Sequence, residues 1–408
     1  MADRVALRYG LLGLGTLAYS LLMFIWFSLA AYLNPITAEL GLSSTQAGVL
    51  TGAIPLTYVP VALVSGFVID RTGPYRAIGS GLLLFGAAHL GRAGADSFAA
   101  MLALTVAVGV GATTITFGLP KLVSELFPAE SSGLPSSIYV LGSFAGTAAA
   151  FSLGRGVLGP ALGGWRPLFR VTALVTLAYA GLWWATVRLA PLSALRTADA
   201  SAADAAADGG FDLASLRSDV ARVFGNGAMR LLVVVGVVYL LVVHGLQNWL
   251  ATVLASRGVA PTLAATVTSG FVAAEAVGTL AAPAVSDYLG ERGDVIAACA
   301  AACGLGTATL LVPGVPFFVP VLGVAVVGVG VGGLSPLVRM VPPEIEGVGP
   351  ALTGTAIGLV FAVGEAGGFL GPFLIGSLYD LTGSYVPGLA VVGLGCASAV
   401  VAGRRLPT

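Results

Sequence analysis

Charged residues are what this 408-residue chain has least of: Asp, Glu, Lys and Arg make up 9% of it, 19 of each sign. A soluble domain carries about 25%, so these residues cannot cover a water-facing surface. With 57% apolar residues and a mean hydropathy of +0.96, the natural solvent is lipid. The zero net charge leaves no basic footprint, so no nucleic-acid partner is expected. Cysteine is equally scarce. Cys299, Cys303 and Cys396 all sit inside apolar runs. The first two, four residues apart, share a helix face and read as small apolar packing, with a metal pair as the alternative. No disulfide framework follows. Also missing are a nucleotide-binding glycine loop, a nucleophile elbow and a metal-ligand cluster. Their absence argues against an enzyme and against ATP-driven transport; neither cofactor nor metal is expected.

What is present is a series of long apolar runs. The first, Tyr9 to Leu33, exceeds the roughly 7–15 residues of a cleavable leader and reads as a retained span. A helix crosses the hydrocarbon core in about 20 residues. Twelve segments meet that length: 9–33, 45–69, 76–95, 98–122, 133–158, 167–189, 229–253, 262–286, 294–313, 316–340, 350–376 and 386–403. The expected class is therefore an all-α membrane protein with twelve transmembrane helices. Only the stretch from Pro191 to Met229 is a long connection. Its "RTADASAADAAADGGFD" is Ala/Asp-rich and cannot bury a core, so it reads as a solvated linker. In the following "DLASLRSDVARVF", Leu213, Leu216, Val220 and Phe224 recur at helical spacing opposite Arg217, Asp219 and Arg222. That fits a short helix on the membrane surface or one docked on protein.

Arginine and lysine set the orientation. Cytoplasmic termini place fourteen of them inside and five outside, and the reverse topology inverts the bias. Both termini are therefore expected in the cytoplasm, with the chain in the cytoplasmic (inner) membrane.

The chain also repeats itself. Asp70 and Gly73 match Asp287 and Gly290 at an offset of 217 residues, as do Gly41 and Gly258, Thr45 and Thr262, Ala47 and Ala264, and Thr51 and Thr268. "GLPKLVSELFP" from Gly118 faces "GLSPLVRMVPP" from Gly333 at an offset of 215. The expected organisation is two pseudo-symmetric six-helix bundles, 1–190 and 229–408, joined by a cytoplasmic linker over 191–228.

"GFVIDRTGPYR" resembles the loop signature of the major facilitator superfamily between helices two and three, with Gly66, Asp70, Gly73 and Arg76 on its key positions. The resemblance covers the whole length. The second copy keeps Asp287 and Gly290 but has Pro283 in place of the first glycine. Within the superfamily, "LPKLVSELFP", "GPALGGWR" and "GSLYDLTGSY" look most like the cyanate-permease-like branch. The resemblance implies a secondary transporter with a site between the halves near the midplane and rocking of one half against the other. That architecture is already described for this superfamily. It also implies a cytoplasmic latch made of Gly66, Asp70, Arg71, Gly73 and Arg76 with Asp287, Gly290 and Arg292. Gly66 would admit a close helix, Asp70 would accept hydrogen bonds at a helix N-terminus near Gly349-Pro350, Gly73 would allow the turn, and Arg76 would pair with a carboxylate. A tight turn and nothing more is the alternative. "YDLTG" from Tyr379 shares the spacing but follows helix eleven, so it is expected outside, as a turn and cap.

Ionisable groups within spans are functional candidates by default. Glu275 and Glu365 lie near the middle of the eighth and eleventh segments with no mid-span Lys or Arg to neutralise them. A carboxyl alone in low dielectric can exist protonated, which suits a proton carrier; a protonated Glu bonded to a backbone carbonyl is the alternative. Tyr58 corresponds to Glu275 across the repeat. His244, Gln247 and Asn248 share one face of helix seven. Tyr19 and Trp26 on helix one are further cavity candidates. Lys121 and Arg339 are expected either to attract an anion or to close the inner gate against Glu125 or Glu344, and Arg155 to guard the outer mouth.

A mid-membrane arginine on helices two and eight, carried by nitrate and nitrite porters of the superfamily, is absent. An anion site wants a cation there, and only His244 comes near. The expected function is alternating-access transport of a small solute, proton-coupled, with cyanate-like or other small organic anions as candidate substrates. Efflux of cationic or neutral molecules by proton antiport and a non-transporting receptor are the alternatives. The expected partners are the solute, protons and the bilayer, with the chain a monomer.

Overall fold

Inside a bilayer no water is available to backbone N–H and C=O groups, so an apolar run must satisfy them within itself and folds as a helix. A computed structural model of the chain, which describes residues 2–197, 213–312 and 314–407, shows this throughout and contains no strand among the described residues. Twelve long helices follow one another: α1 Ala2–Ala31, α2 Ser44–Thr72, α3 Pro74–Arg92, α4 Phe98–Leu126, α5 Gly133–Leu162, α6 Trp165–Leu189, α7 Gly227–Ser256, α8 Pro261–Leu289, α9 Arg292–Thr309, α10 Phe318–Met340, α11 Gly349–Thr382 and α12 Val386–Arg404. Nine are long and apolar enough to span on their own. α2 makes a tenth when its parts Ser44–Ala62 and Val64–Thr72, bent by 63°, count as one span. The bend follows Pro60, whose missing N–H breaks the helical ladder. α3 and α9 fall short because they combine end charges with many Gly and Ala residues.

Helix ends are set locally. Gly73, at φ 79°, makes the left-handed turn that lets Pro74 open α3, and Gly290, at φ 69°, closes α8 in the same way. Ser43 and Gln46 form a reciprocal capping pair at the start of α2, with backbone-to-side-chain bonds of 3.0 and 3.2 Å. Asn226 caps α7 through its Oδ1, which accepts from Ala228 at 2.9 Å.

The chain divides into two packing units. One comprises Met1–Tyr32 and Pro60–Phe211, the other Leu33–Val59 and Asp212–Thr408. Equivalent helices pair in each: α1 with α5 and α7 with α11, α3 with α4 and α9 with α10, α3 with α6 and α9 with α12. In the first unit the Ser20 hydroxyl donates to Gly142 at 2.7 Å, Trp183 donates to the Tyr75 carbonyl at 2.8 Å, and the Ser65 and Thr113 hydroxyls meet at 2.5 Å. His89 bonds the Thr172 hydroxyl at 3.0 Å beside Phe169, a packing role. In the second unit, Gly332 of α10 lies against the backbone of Glu275 on α8, so the two helices touch at the level of that carboxyl. Cys299 and Cys303 pack on Gly333 and Gly330.

The N-terminal part of α2 belongs to the second unit. Gly48 and Gly52 lie against Pro372 and Phe369 of α11. Asp380, from the "YDLTG" stretch, accepts from the Ser44 and Thr45 amides at 3.0 and 2.7 Å and from the Thr45 hydroxyl at 2.6 Å. It is a cap, built on another helix, for the N-terminus of α2. After the first unit, Leu192–Leu195 forms one helical turn whose last carbonyl accepts from Arg8 at 3.0 Å. The Ala/Asp-rich residues 198–212 lie outside the described residues. The helix Leu213–Gly225 forms and packs against α11. Among its described side chains Val223 is buried, whereas Phe224, expected on the apolar face, is 49% exposed.

Candidate transport site

The polar residues of the second unit converge from α7, α8, α10 and α11. Glu275 of α8 is only 4% exposed, and its carboxylate accepts from the Gln247 amide of α7 at 2.7 Å. Glu365 of α11 has a buried Oε2 that meets no hydrogen-bond donor among the described residues. Glu365 and His244 flank Gly368. A Cβ built on that glycine would stand 3.0 Å from the Glu365 oxygen, 2.9 Å from His244 Cδ2 and 3.0 Å from Pro55 of α2. The glycine thus leaves a niche ringed by an acid, an imidazole and a proline. Tyr58, buried, lies one helical turn beyond Pro55. Asn248 folds back onto its own helix, donating to the His244 carbonyl at 2.7 Å. Neither carboxyl is ion-paired with Lys or Arg among the described residues.

A second group gathers around Arg339, whose partners the sequence did not reveal. Arg339, near the inner end of α10, turns back along its helix and donates from Nη1 to the Ser335 carbonyl and hydroxyl at 2.6 and 2.7 Å. Its guanidinium lies 4.2 Å from the ring centroid of Phe361 on α11, one turn from Glu365. Tyr239 of α7, buried, lies within the electrostatic range of Arg339, Glu275 and Glu365. Tyr239 and Gln247 are eight residues apart, so a helical reading of "YLLVVHGLQ" contained a signal for Tyr239. Ser335 and Phe361 carried none.

The first unit holds the other candidates. Tyr19 faces Tyr139 at 6.2 Å, and Trp26 stacks on Phe27 at 5.6 Å. Arg155 lies in a stretch of α5, Ala150–Leu158, wound with the wider i→i+5 bonding, and covers the Tyr32 ring at 4.6 Å.

The charged turns form ion pairs within each unit. Asp70 pairs with Lys121 of α4 at 3.2 Å, and Arg71 covers the Phe67 ring at 4.1 Å. In the other unit Arg292 joins Asp287 at 3.1 Å to Glu344 at 2.7 Å. These pairings correct the expectation for the inner charges. Lys121 engages Asp70 rather than Glu125, which pairs with Arg196 at 3.5 Å. Glu344 engages Arg292, leaving Arg339 without a carboxylate among the described residues. At Gly66 a Cβ would meet nothing within 4 Å in this structure. Arg76 is exposed and makes no ion pair among the described residues.

Two six-helix patterns, paired inner turns and polar groups buried at mid-helix are the layout of a transporter. Residues 15–372 match the model of the Major Facilitator Superfamily. The chain belongs to that superfamily. As a major facilitator protein it is a multi-pass membrane transporter of small solutes. Among curated relatives, the 3-(3-hydroxy-phenyl)propionate transporter of Escherichia coli strain K12 is 28% identical over 368 residues, 88% of this chain and 86% of that one. The nitrate/nitrite transporter NrtP of a Picosynechococcus strain is 28% identical over 148 residues, 36% of this chain and 27% of that one. Among solved structures, an inward-facing bacterial homologue of the human lysosomal transporter Spinster superimposes with a TM-score of 0.77 at 19% identity over 97% of both chains. The nucleoside transporter NupG does so with 0.77 at 15% identity, over 97% of this chain and all of that one. At these identities the structures speak for the fold alone.

Proposed function

We propose that this protein is a proton-coupled secondary transporter of small organic anions, working by alternating access as a monomer in the cytoplasmic membrane with both termini inside. The observation that carries this reading is the pair of carboxyls, Glu275 and Glu365, on two helices that both pack against α7 and without a Lys or Arg ion-pair partner among the described residues. An acid so placed is neutral when occluded and charged when open to water, which is what carrying a proton requires. An anion binds beside such acids more readily once they are protonated. By linkage, the bound anion then raises their affinity for protons, which couples the two as symport.

The anionic substrate class is supported by the curated relatives, whose names give a phenylpropionate and nitrate or nitrite. Assignment to the cyanate-permease-like branch remains part of the proposal and rests on the quoted sequence phrases. Lys121–Asp70 and the Asp287–Arg292–Glu344 cluster are assigned to the inner gate, and the Gly368 niche to the proton and substrate path. The test is uptake by proteoliposomes under an imposed pH gradient, acidic outside. Accumulation of an organic anion above its equilibrium level, abolished by a protonophore, is expected. Equal final concentrations on both sides, whatever the gradient, would point to a uniporter. No exchange with any solute of a broad panel would point to a receptor.

A further inference from the structure

The sequence posed a conflict: an anion needs a cation within the membrane, and none is placed mid-span. The conformation of Arg339 resolves it. The residue sits in the last turn of α10, where position alone suggests an anchor to the inner surface. Instead the guanidinium is drawn up toward the preceding turn by two bonds to Ser335 and laid over Phe361. Those two bonds come from one nitrogen, Nη1. No carboxylate takes the rest of the fork among the described residues, and Glu344, the partner expected for it, is held by Arg292. The corresponding cation of the first unit, Lys121, is already paired with Asp70. Against the guanidinium stand the Ser335 hydroxyl and the Phe361 ring, with Tyr239 within its electrostatic range.

We infer that Arg339, with Tyr239, Ser335 and Phe361, is the anchor for the carboxylate of the substrate. This rests on the organic-anion reading above and names its chemistry. A planar guanidinium with free N–H groups matches a carboxylate with two parallel bonds. The Tyr239 hydroxyl is a third donor. The Phe361 ring, against one face of the guanidinium, holds its plane in place. Glu365, one turn along α11 from Phe361, then faces the bound anion. It is compatible with that anion when protonated and repels it when ionised, whereas a neutral solute would feel no such difference.

The experiment is equilibrium binding to the purified full-length protein in detergent, followed by thermal shift and tryptophan fluorescence. The probes are benzoate, phenylacetate and 3-phenylpropionate, each against its primary amide, which keeps the shape and removes the charge. At least one acid should bind at least tenfold more tightly than its amide. Arg339→Gln should weaken that acid by tenfold or more and leave the amide unchanged. Arg339→Lys, which keeps charge but not the fork, should fall between, and Tyr239→Phe should cost several-fold. The inference is overturned if no acid binds the wild type, if acid and amide bind alike, or if Arg339→Gln and Arg339→Lys both bind the acid as the wild type does. No gradient is present in this measurement. Acid-selective binding with no gradient-driven accumulation would therefore uphold the anchor while refuting the proton coupling.

Discussion

At the scale of single residues, Gly368 shows how the site depends on what is left out. A methyl group there would come within about 3 Å of Glu365, His244 and Pro55, and overpacking of this kind costs roughly 1–3 kcal/mol. Two of those neighbours are side-chain ends that can move aside. Gly368→Ala should therefore still fold, with a monodisperse size-exclusion profile, while its uptake rate drops at least tenfold. Wild-type uptake in that variant would remove Gly368 and its niche from the transport path. The Asp70–Lys121 pair invites the opposite contrast. Asp70 is 68% exposed, and such pairs contribute about 0–1 kcal/mol to stability. Asp70→Asn should leave the melting temperature nearly unchanged yet lower transport through a weakened inner gate. Normal uptake at normal expression would reduce the motif to a turn.

The legibility of these residues followed from contrast. Glu275, Glu365, Asp70 and Asp287 stand out in an apolar background, and their sites could be named from the sequence. Tyr239, Ser335 and Phe361 do not, because such residues are ordinary in any membrane helix. Arg339 was visible as a charge, but its direction was not. Which way a long side chain turns at a helix end is decided by the partners it finds, here Ser335 and Phe361 on the membrane side rather than Glu344.

At the scale of elements, the helices were legible from run length alone, since lipid leaves a long apolar run one way to satisfy its backbone. Less legible were the spans poor in large apolar residues, α3 and α9, and the bend in α2. The look-alike "YDLTG" became informative only in three dimensions. Topology predicted a cap at an outer turn, and the structure assigns its Asp380 to the N-terminus of α2 with three hydrogen bonds. A side-chain cap at a helix start contributes about 0.5–2 kcal/mol. Asp380→Ala should therefore lower the melting temperature by a few degrees, and Asp380→Asn, which keeps an acceptor, by less. Equal melting temperatures for all three proteins would show that this cap does not stabilise the helix.

At the scale of the whole molecule, the internal offset of about 217 residues corresponds to equivalent helix pairings in the two units, so the repeat read from scattered Asp, Gly and Thr matches is a repeat of structure. The family followed from the same matches. Substrate charge did not, because it depends on the reach of one arginine. The central claim is that transport is driven by protons carried on carboxyls buried in the second unit. Its most direct test is one pair of assays on Glu275→Gln in proteoliposomes. The account predicts that counterflow exchange of the organic anion persists while accumulation driven by a pH gradient is lost, because the neutral amide can still line the path but cannot exchange a proton. Gradient-driven accumulation at the wild-type level in Glu275→Gln would contradict it.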